Sequence, residues 1–360
     1  MDISRKSLVL SDLGEFRLLN EIILPEVGRS SVELGDDCGF MPIPDAGTSL
    51  VVTTDFAPKP LAWLLGQQSY RTWGWYAVLI NASDLAAAGA ECLGFTSSVE
   101  GPSNMPVDDL REFYTGMANA CEAYNLPYAG GNLRAAPRFE CHGTAFGIIP
   151  RTQMLGRSKC RPGDVLVSIG ACGEFIAAFL RARLDGFAAL TEAERDLLVR
   201  PQPRLREMRI LRERELLSAA SDNSDGVLGS LWNIAERSRC GMKLDFDDSV
   251  ITEAVKDVAA RAQLSRWNLF FFWGDWQVIT AVKQERFMDF ARISIEEQIP
   301  YVRLGVAVPG PPRLIRQNDD SEQPVHLLRN ENFSTSSFNE GVEAHVDHML
   351  RESLFDRVYA

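Results

Sequence analysis

The chain has 360 residues, 46% of them hydrophobic and 24% charged, a globular composition long enough for two domains. A net charge of −12 excludes a nucleic-acid partner, which wants a basic face, but suits the collection of divalent cations. The seven cysteines, Cys38, Cys92, Cys121, Cys141, Cys160, Cys172 and Cys240, are scattered and form no Cys-x-x-Cys pair, which fits reduced cytoplasmic thiols rather than a disulfide framework or zinc site.

No apolar run is long enough to span a bilayer, and Met1 to Glu15 carries charges throughout with no signal-peptide core. A cytoplasmic protein without a membrane partner is therefore expected. Residues 8–28 predict a helix from Phe16, Leu19, Ile22 and Ile23. Leu34-Gly35-Asp36-Asp37 follows as a glycine turn with adjacent acids. Ser49 to Thr54 is β-branched, strand-like, and ends at Asp55. Ser69 to Ala88 predicts a helix with Trp73, Ala77 and Ile80 on one side. Its last turns, Asn81 to Ala88, are alanine-rich yet carry Asn81 and Asp84 on one face. A carboxylate in so tight a helix is costly unless a cation or donor meets it.

Strands are predicted at Leu93 to Val99, Pro127 to Ala129 (closed by Gly130-Gly131-Asn132) and Cys141 to Ile149, with a helix over Val107 to Tyr124. The pattern changes after Arg161-Pro162-Gly163-Asp164, which places a domain boundary between Pro150 and Gly163. Beyond it, Val165 to Ile169 reads as a strand leading through Gly170 and Gly173 into a helix. Ala188 to Leu217 reads as helical, interrupted by Pro201 and Pro203. Ser218 to Ser221 reads as a strand running into Asp222-Asn223-Ser224-Asp225-Gly226, Val227 to Arg239 as a helix and Met242 to Phe246 as a strand. Leu269 to Val282 reads as mostly strand, Tyr301 to Val308 as a late strand, and the polar remainder as finishing in a helix over Gly341 to Val358. Strands alternating with helices give an α/β or α+β class. The division is 1–155, 156–312 and a polar extension, 313–360.

Five stretches share one trait: a strand or buried helix ends beside glycine or hydroxyl residues with an acid or its amide. They are Gly35-Asp36-Asp37, Thr53-Thr54-Asp55, Asn81 to Asp84, Gly130-Gly131-Asn132 and Asp222 to Gly226. Converging carboxylates repel, and either take up protons or bind hard cations such as Mg²⁺. Singly, each is a solvated turn or a helix cap; the order is what is specific. That order resembles thiamine-monophosphate kinase and, more broadly, the superfamily of aminoimidazole ribonucleotide synthetase, hydrogenase-maturation and selenophosphate-synthesis enzymes. The resemblance runs over roughly residues 15 to 310 and includes Gly156-Arg157-Ser158.

The resemblance implies a two-domain fold whose N-terminal sheet pairs with its mate in a homodimer, with ATP across the dimer cleft. Asp37 and Asp55 would ligate Mg²⁺, assisted by Thr53 and Thr54, with Asp84, Asp222 and Asp225 completing the metal cluster. Ser224 would contact ATP, and Arg157 would hold a phosphate oxygen, a role suited to a planar, always-charged donor. The reaction implied is phosphoryl transfer to a small-molecule acceptor by positioning and electrostatics. Cys38 beside the acids is no nucleophile, since carboxylates raise a thiol pKa.

Three departures stand out. Asn132 replaces the family's aspartate and weakens one Mg²⁺ position. Ala62 stands where the kinase has a substrate-contacting histidine. Gly274 stands where it has a substrate-binding glutamate, beside a retained Asp275 and a Trp276 that replaces tyrosine. The expectation is an Mg²⁺- and ATP-dependent phosphotransferase with a rebuilt acceptor pocket, contacted by Ala62, Asp275 and Trp276. Trp63, Trp273 and Trp276 could form an aromatic pocket or simply pack. Two rivals stay open: ATP-dependent activation of an amide or carbonyl oxygen, as in a synthetase or dehydratase, and a non-catalytic nucleotide-binding relative. His142 reads as core or interface, His345 and His348 as a helix surface, and Lys159 and Arg161 as a basic loop or solvated charges.

Overall fold

A computed structural model describes residues 9–27, 36–44, 47–318, 321–330 and 341–355; Leu34 and Gly35 of the first acidic stretch lie outside them. Two sheets organise the described residues. The first has strands β1 (Gly39–Pro42), β2 (Thr48–Phe56), β3 (Glu91–Gly101), β4 (Tyr128–Ala135) and β5 (Glu140–Pro150), in the order β1-β2-β5-β3-β4. Helices α1 (Tyr70–Ala88) and α2 (Val107–Ala123) cover one face.

Period-two alternation decides what each residue of β2 sees. Ser49, Val51 and Thr53 are buried toward the helices, while Thr54 and Phe56 are exposed on the other face. The register continues that open face across the sheet, since Val52 pairs with Phe146 and Phe56 with His142, which in turn pairs with Ser98 and Ser98 with Asn132.

α1 is apolar nearly all round because it is buried nearly all round. Ser69 caps its start by accepting from the Thr72 amide at 3.2 Å. It crosses α2 so closely that glycine is required on both helices: a Cβ at Gly74 would lie 1.9 Å from Phe113 O, and one at Gly116 1.8 Å from Arg71 O. Near its other end, Ala86 and Ala87 pack against Val167, Ile169, Met208 and Val278 of the second domain. The alanines therefore admit a neighbouring sheet.

The second domain contains β6 (Val165–Ile169), helices α3 (Glu174–Asp185), α4 (Glu192–Val199) and α5 (Leu205–Glu213), then β7 (Leu217–Asp222), α6 (Val227–Ser238) and β8 (Gly241–Leu244). α7 (Glu253–Ala262), α8 (Arg266–Phe270), β9 (Val278–Val282), α9 (Phe287–Glu296) and β10 (Tyr301–Val308) follow. β11 (Arg313–Asn318), β12 (Ser321–Pro324) and α10 (Val342–Arg351) complete it. Its sheet runs β12-β11-β8-β10-β6-β9-β7.

The loop carrying Pro201 and Pro203 locks the domains together. Its Pro201 carbonyl accepts from Trp75 Nε1 at 2.9 Å and Tyr124 Oη at 2.8 Å, and Leu198 O accepts from Tyr76 Oη at 3.0 Å.

The structure corrects several element expectations. Leu269 to Val282 is not mostly strand: α8 ends at Phe270, a turn follows, and only Val278–Val282 is extended. Phe270, Phe271 and Phe272 are fully buried, and a short buried apolar run has no period to separate helix end from strand. β4 continues through Gly130-Gly131-Asn132 instead of closing there, and β1, β11 and β12 were not anticipated. The N-terminal segment Leu10–Val27 is helical but includes a wide π-helical turn, Leu18–Ile23, and Ile22 and Ile23 are exposed rather than packed.

Candidate active site

The acidic side chains converge where α1, β2, β7 and the inter-domain loop meet. Asp84 projects from the buried helix, and Thr53, on the inner face of β2, donates to its Oδ2 at 2.5 Å. Asp222 ends β7, and Asp37 precedes β1. One carboxylate oxygen from each of Asp37, Asp84 and Asp222 lies within 4.8 Å of the others. Asp55, two residues along β2 from Thr53 and on the same face, adjoins Asp84.

Arg157 is the counter-ion. Its Nη2 donates to Asp37 Oδ1, and its Nε to Ser221 Oγ at 3.1 Å. Its backbone amide donates to Asp36 Oδ1 at 2.7 Å. Gly156 is demanded here by the close approach, because a Cβ would sit 2.7 Å from the Asp36 carboxylate carbon.

The electrostatics follow from burial. Desolvation raises Asp84 well above the usual carboxylate range, and Asp222, Asp55 and Asp37 push the same way. Asp222 is likewise raised well above it by burial and then by Asp37, against the pull of Arg157. Asp37 is raised by burial more than Arg157 lowers it. Burial lifts Asp55 to about 6. Like charges roughly 5 Å apart repel by about 3 kcal/mol per pair at an effective dielectric near 20. One guanidinium cannot balance three such carboxylates. The group must take up protons or a hard cation, and an all-oxygen donor set of this size suits Mg²⁺. Asn81 Oδ1 and Ser83 Oγ, also on α1, are buried without partners. Cys38 is buried beside the acids, and desolvation, then Asp84 and Asp37, push its thiol far up, which agrees with its expected inertness.

The remaining expected residues divide. Ser224 and Asp225 lie on the loop after β7: Ser224 Oγ donates to Asp222 Oδ1 at 3.0 Å, and Asp225 Oδ2 accepts from Asn233 Nδ2 at 2.7 Å. Thr54 is not brought to the group, since it faces the open side of the sheet and donates to Gly143 O at 2.8 Å. Asn132 is on that open face too.

Asp275 is committed elsewhere. Its two oxygens accept the Gly173 and Phe175 amides at 2.7 Å each, capping the start of α3. Trp276 packs edge-on against Tyr76, with ring centroids 5.7 Å apart. Ala62 is buried in a short 3₁₀ turn, Leu61–Leu65, that packs on α3 and α4. Position 274 has no room for a side chain: its φ is +106°, and a Cβ would lie 2.3 Å from the Phe175 ring. Sequence reasoning named Asp36 only as part of an acidic stretch and gave neither it nor Ser221 a role; both orient Arg157. Both adjoin acids that it singled out, and adjacency was the available signal.

Residues 35–149 match the AIR synthase related protein N-terminal domain, and residues 161–315 the corresponding C-terminal domain. The chain belongs to the AIR synthase related family. Within it, the chain is a thiamine-monophosphate-kinase-like member. The thiamine-monophosphate kinase of Methanospirillum hungatei is 30% identical over 271 residues, 75% of this chain and 86% of that protein. The structure of AaThiL complexed with AMPPCP and TMP shares the fold, with a TM-score of 0.73 and 23% identity over 86% of this chain and 95% of that one. The thiamine-monophosphate kinase from Stenotrophomonas maltophilia superimposes with a TM-score of 0.65 at 26% identity, covering 84% of this chain and 96% of that one. Among the described residues, no helix is long and apolar enough to cross a membrane.

Proposed function

We propose that this family member is an Mg²⁺- and ATP-dependent phosphotransferase whose acceptor is a small molecule other than thiamine monophosphate. The observation that carries the first half is the convergence of Asp37, Asp84 and Asp222 within 4.8 Å. Asp55 and Asp225 flank them, and the thiamine-monophosphate kinases among its relatives support a phosphoryl-transfer reading.

Asp37, Asp55, Asp84, Asp222 and Asp225 would hold magnesium, which supplies the positive charge that lets two anionic molecules approach. Thr53 orients Asp84 through its hydroxyl. Arg157, kept charged at the rim, offers donors to a phosphate oxygen. Ser224, exposed on its loop with its hydroxyl on Asp222, would contact the nucleotide. Asn132 and Thr54 stand on the open sheet face, which also shows Phe56, 63% exposed, beside the half-buried Leu50, Val52 and Phe146. That half-apolar face supports the pairing of two N-terminal sheets in a homodimer, with the nucleotide at the cleft.

The altered acceptor rests on position 274. No glutamate fits there against the Phe175 ring, and Ala62 offers no hydrogen bond. The indole N–H groups of Trp63, Trp273 and Trp276 are buried without partners, which supports an aromatic acceptor pocket near α4. Asp275 holds the start of α3 behind it.

A screen of small acceptors, read by ADP release with product analysis, tests this reading. Mg²⁺-dependent ADP release with a stable phosphorylated product is expected. Free phosphate with a rearranged acceptor would instead favour oxygen activation, and turnover of thiamine monophosphate at an ordinary enzymatic rate would refute the altered acceptor. Full activity in a sample that sediments purely as monomer would overturn the dimer.

A further inference from the structure

The described residues of the segment 313–355 are no loose tail. β11 pairs in parallel with β8 and antiparallel with β12, extending the second sheet. Val325, Leu328, Val346, Met349, Leu350 and Leu354 are buried in the second domain's main core. Asn268 Nδ2 donates to the carbonyls of Met349 at 3.2 Å and Glu352 at 2.8 Å, fixing the end of α10. The family match ends at residue 315, so almost all of this segment is additional to it.

The segment touches the loop after β7 at two points. The Asn330 amide donates to Asp225 O at 3.0 Å, and Asn330 Nδ2 donates to Ser224 O at 3.1 Å. Separately, Arg329 Nη2 donates to Asn233 Oδ1 at 3.0 Å, and Asn233 Nδ2 donates to Asp225 Oδ2 at 2.7 Å. The backbone and the carboxylate of the loop are thus held along different routes.

Asn330 is itself held. With its amide nitrogen on Ser224 O, its Oδ1 faces His345 Nε2, 2.8 Å away on α10. Burial, and then His348, keep the His345 ring below its ordinary pKa. Since Oδ1 only accepts, Nε2 must carry the hydrogen.

We propose that Asn330, oriented by His345, is a positioning residue for the Ser224–Asp225 loop, so that the C-terminal segment sets the geometry of the nucleotide site. The inference rests on the phosphotransferase reading. It predicts that the loop's fit to Mg²⁺ and ATP depends on a residue that touches neither.

The test uses the full chain with Asn330→Ala, His345→Leu and His345→Gln. Calorimetry would read Mg²⁺–ATP affinity, and hydrogen exchange would read the amides of residues 223–226. Asn330→Ala, which loses the bond to Ser224 O but keeps its backbone amide, and His345→Leu, which releases the Asn330 side chain, should each weaken binding about tenfold, the effect of one lost or misplaced loop hydrogen bond. They should also speed exchange in that loop while β6 and β9 stay protected. His345→Gln, whose amide can still donate to Oδ1, should restore most of the affinity. Asn330→Ala with wild-type affinity and loop exchange would overturn the proposal. So would equal loss in His345→Leu and His345→Gln. Should Asn330→Ala fail to fold, the two His345 variants decide alone. A wild-type chain that binds no Mg²⁺–ATP would instead remove the phosphotransferase reading beneath it.

Discussion

At the scale of single residues, the decisive quantity is how much charge the protein buries and what meets it. Asp84 and Asp222 are buried without enough cation nearby, whereas Asp275 is buried with two backbone donors and still rises to about 7 because desolvation outweighs them. The sign can be worked out. A carboxyl raised from 3.8 to about 7 on folding gives stability that is fully present below pH 4. That stability is lost as pH rises through 7. Wild-type melting without metal or nucleotide should therefore fall between pH 5 and 8. Asp275→Asn should flatten that fall and lower stability at pH 5 by about 1–2 kcal/mol, since one helix amide loses its acceptor. An unchanged pH slope in the variant would show that Asp275 titrates outside this window.

The sequence showed the acids readily, since each adjoins a strand or a glycine turn or breaks an apolar helix. It also carried the answer for Thr54, because alternation from Thr53 and Asp55 puts it on the opposite face. The commitment of Asp275 to α3, 102 residues from its Gly173 partner, left no local trace.

At the scale of elements, α1 ties the molecule together. It presents Asp84 to the site, its alanines to the second sheet, and Gly74 to α2. Helix propensity alone would reward Gly74→Ala by about 1 kcal/mol. Sterics oppose it, because the new methyl would sit 1.9 Å from Phe113 O, and overpacking costs about 1–3 kcal/mol or more. We expect the variant to melt lower than wild type; one that melts higher would mean the helices part freely. The buried character of α1 was legible from its continuous apolar run with a glycine end. The partner of its alanines was not, since the second-domain residues they meet lie more than 70 positions away. The strands β11 and β12 were hidden for a different reason: they are the two outermost strands on one side of the sheet, and their polar, charged sequence lacks the apolar signature of central strands.

At the scale of the whole molecule, two domains close on one acidic group, and the inter-domain loop with Arg157 supplies its only described salt-bridge partner. The two-domain division was readable from the turn at Arg161-Pro162-Gly163-Asp164. The closing of one domain on the other, through Pro201 and α1, depends on contacts that no local pattern encodes. The central claim is that these carboxylates are gathered to hold magnesium for ATP. Titration calorimetry of ATP into wild type and Asp84→Asn, with and without Mg²⁺, measures it most directly. The account predicts binding to wild type only when Mg²⁺ is present, at least tenfold weaker binding to Asp84→Asn, and a metal-free variant that melts no lower than wild type. ATP binding that ignores both Mg²⁺ and the substitution would contradict it.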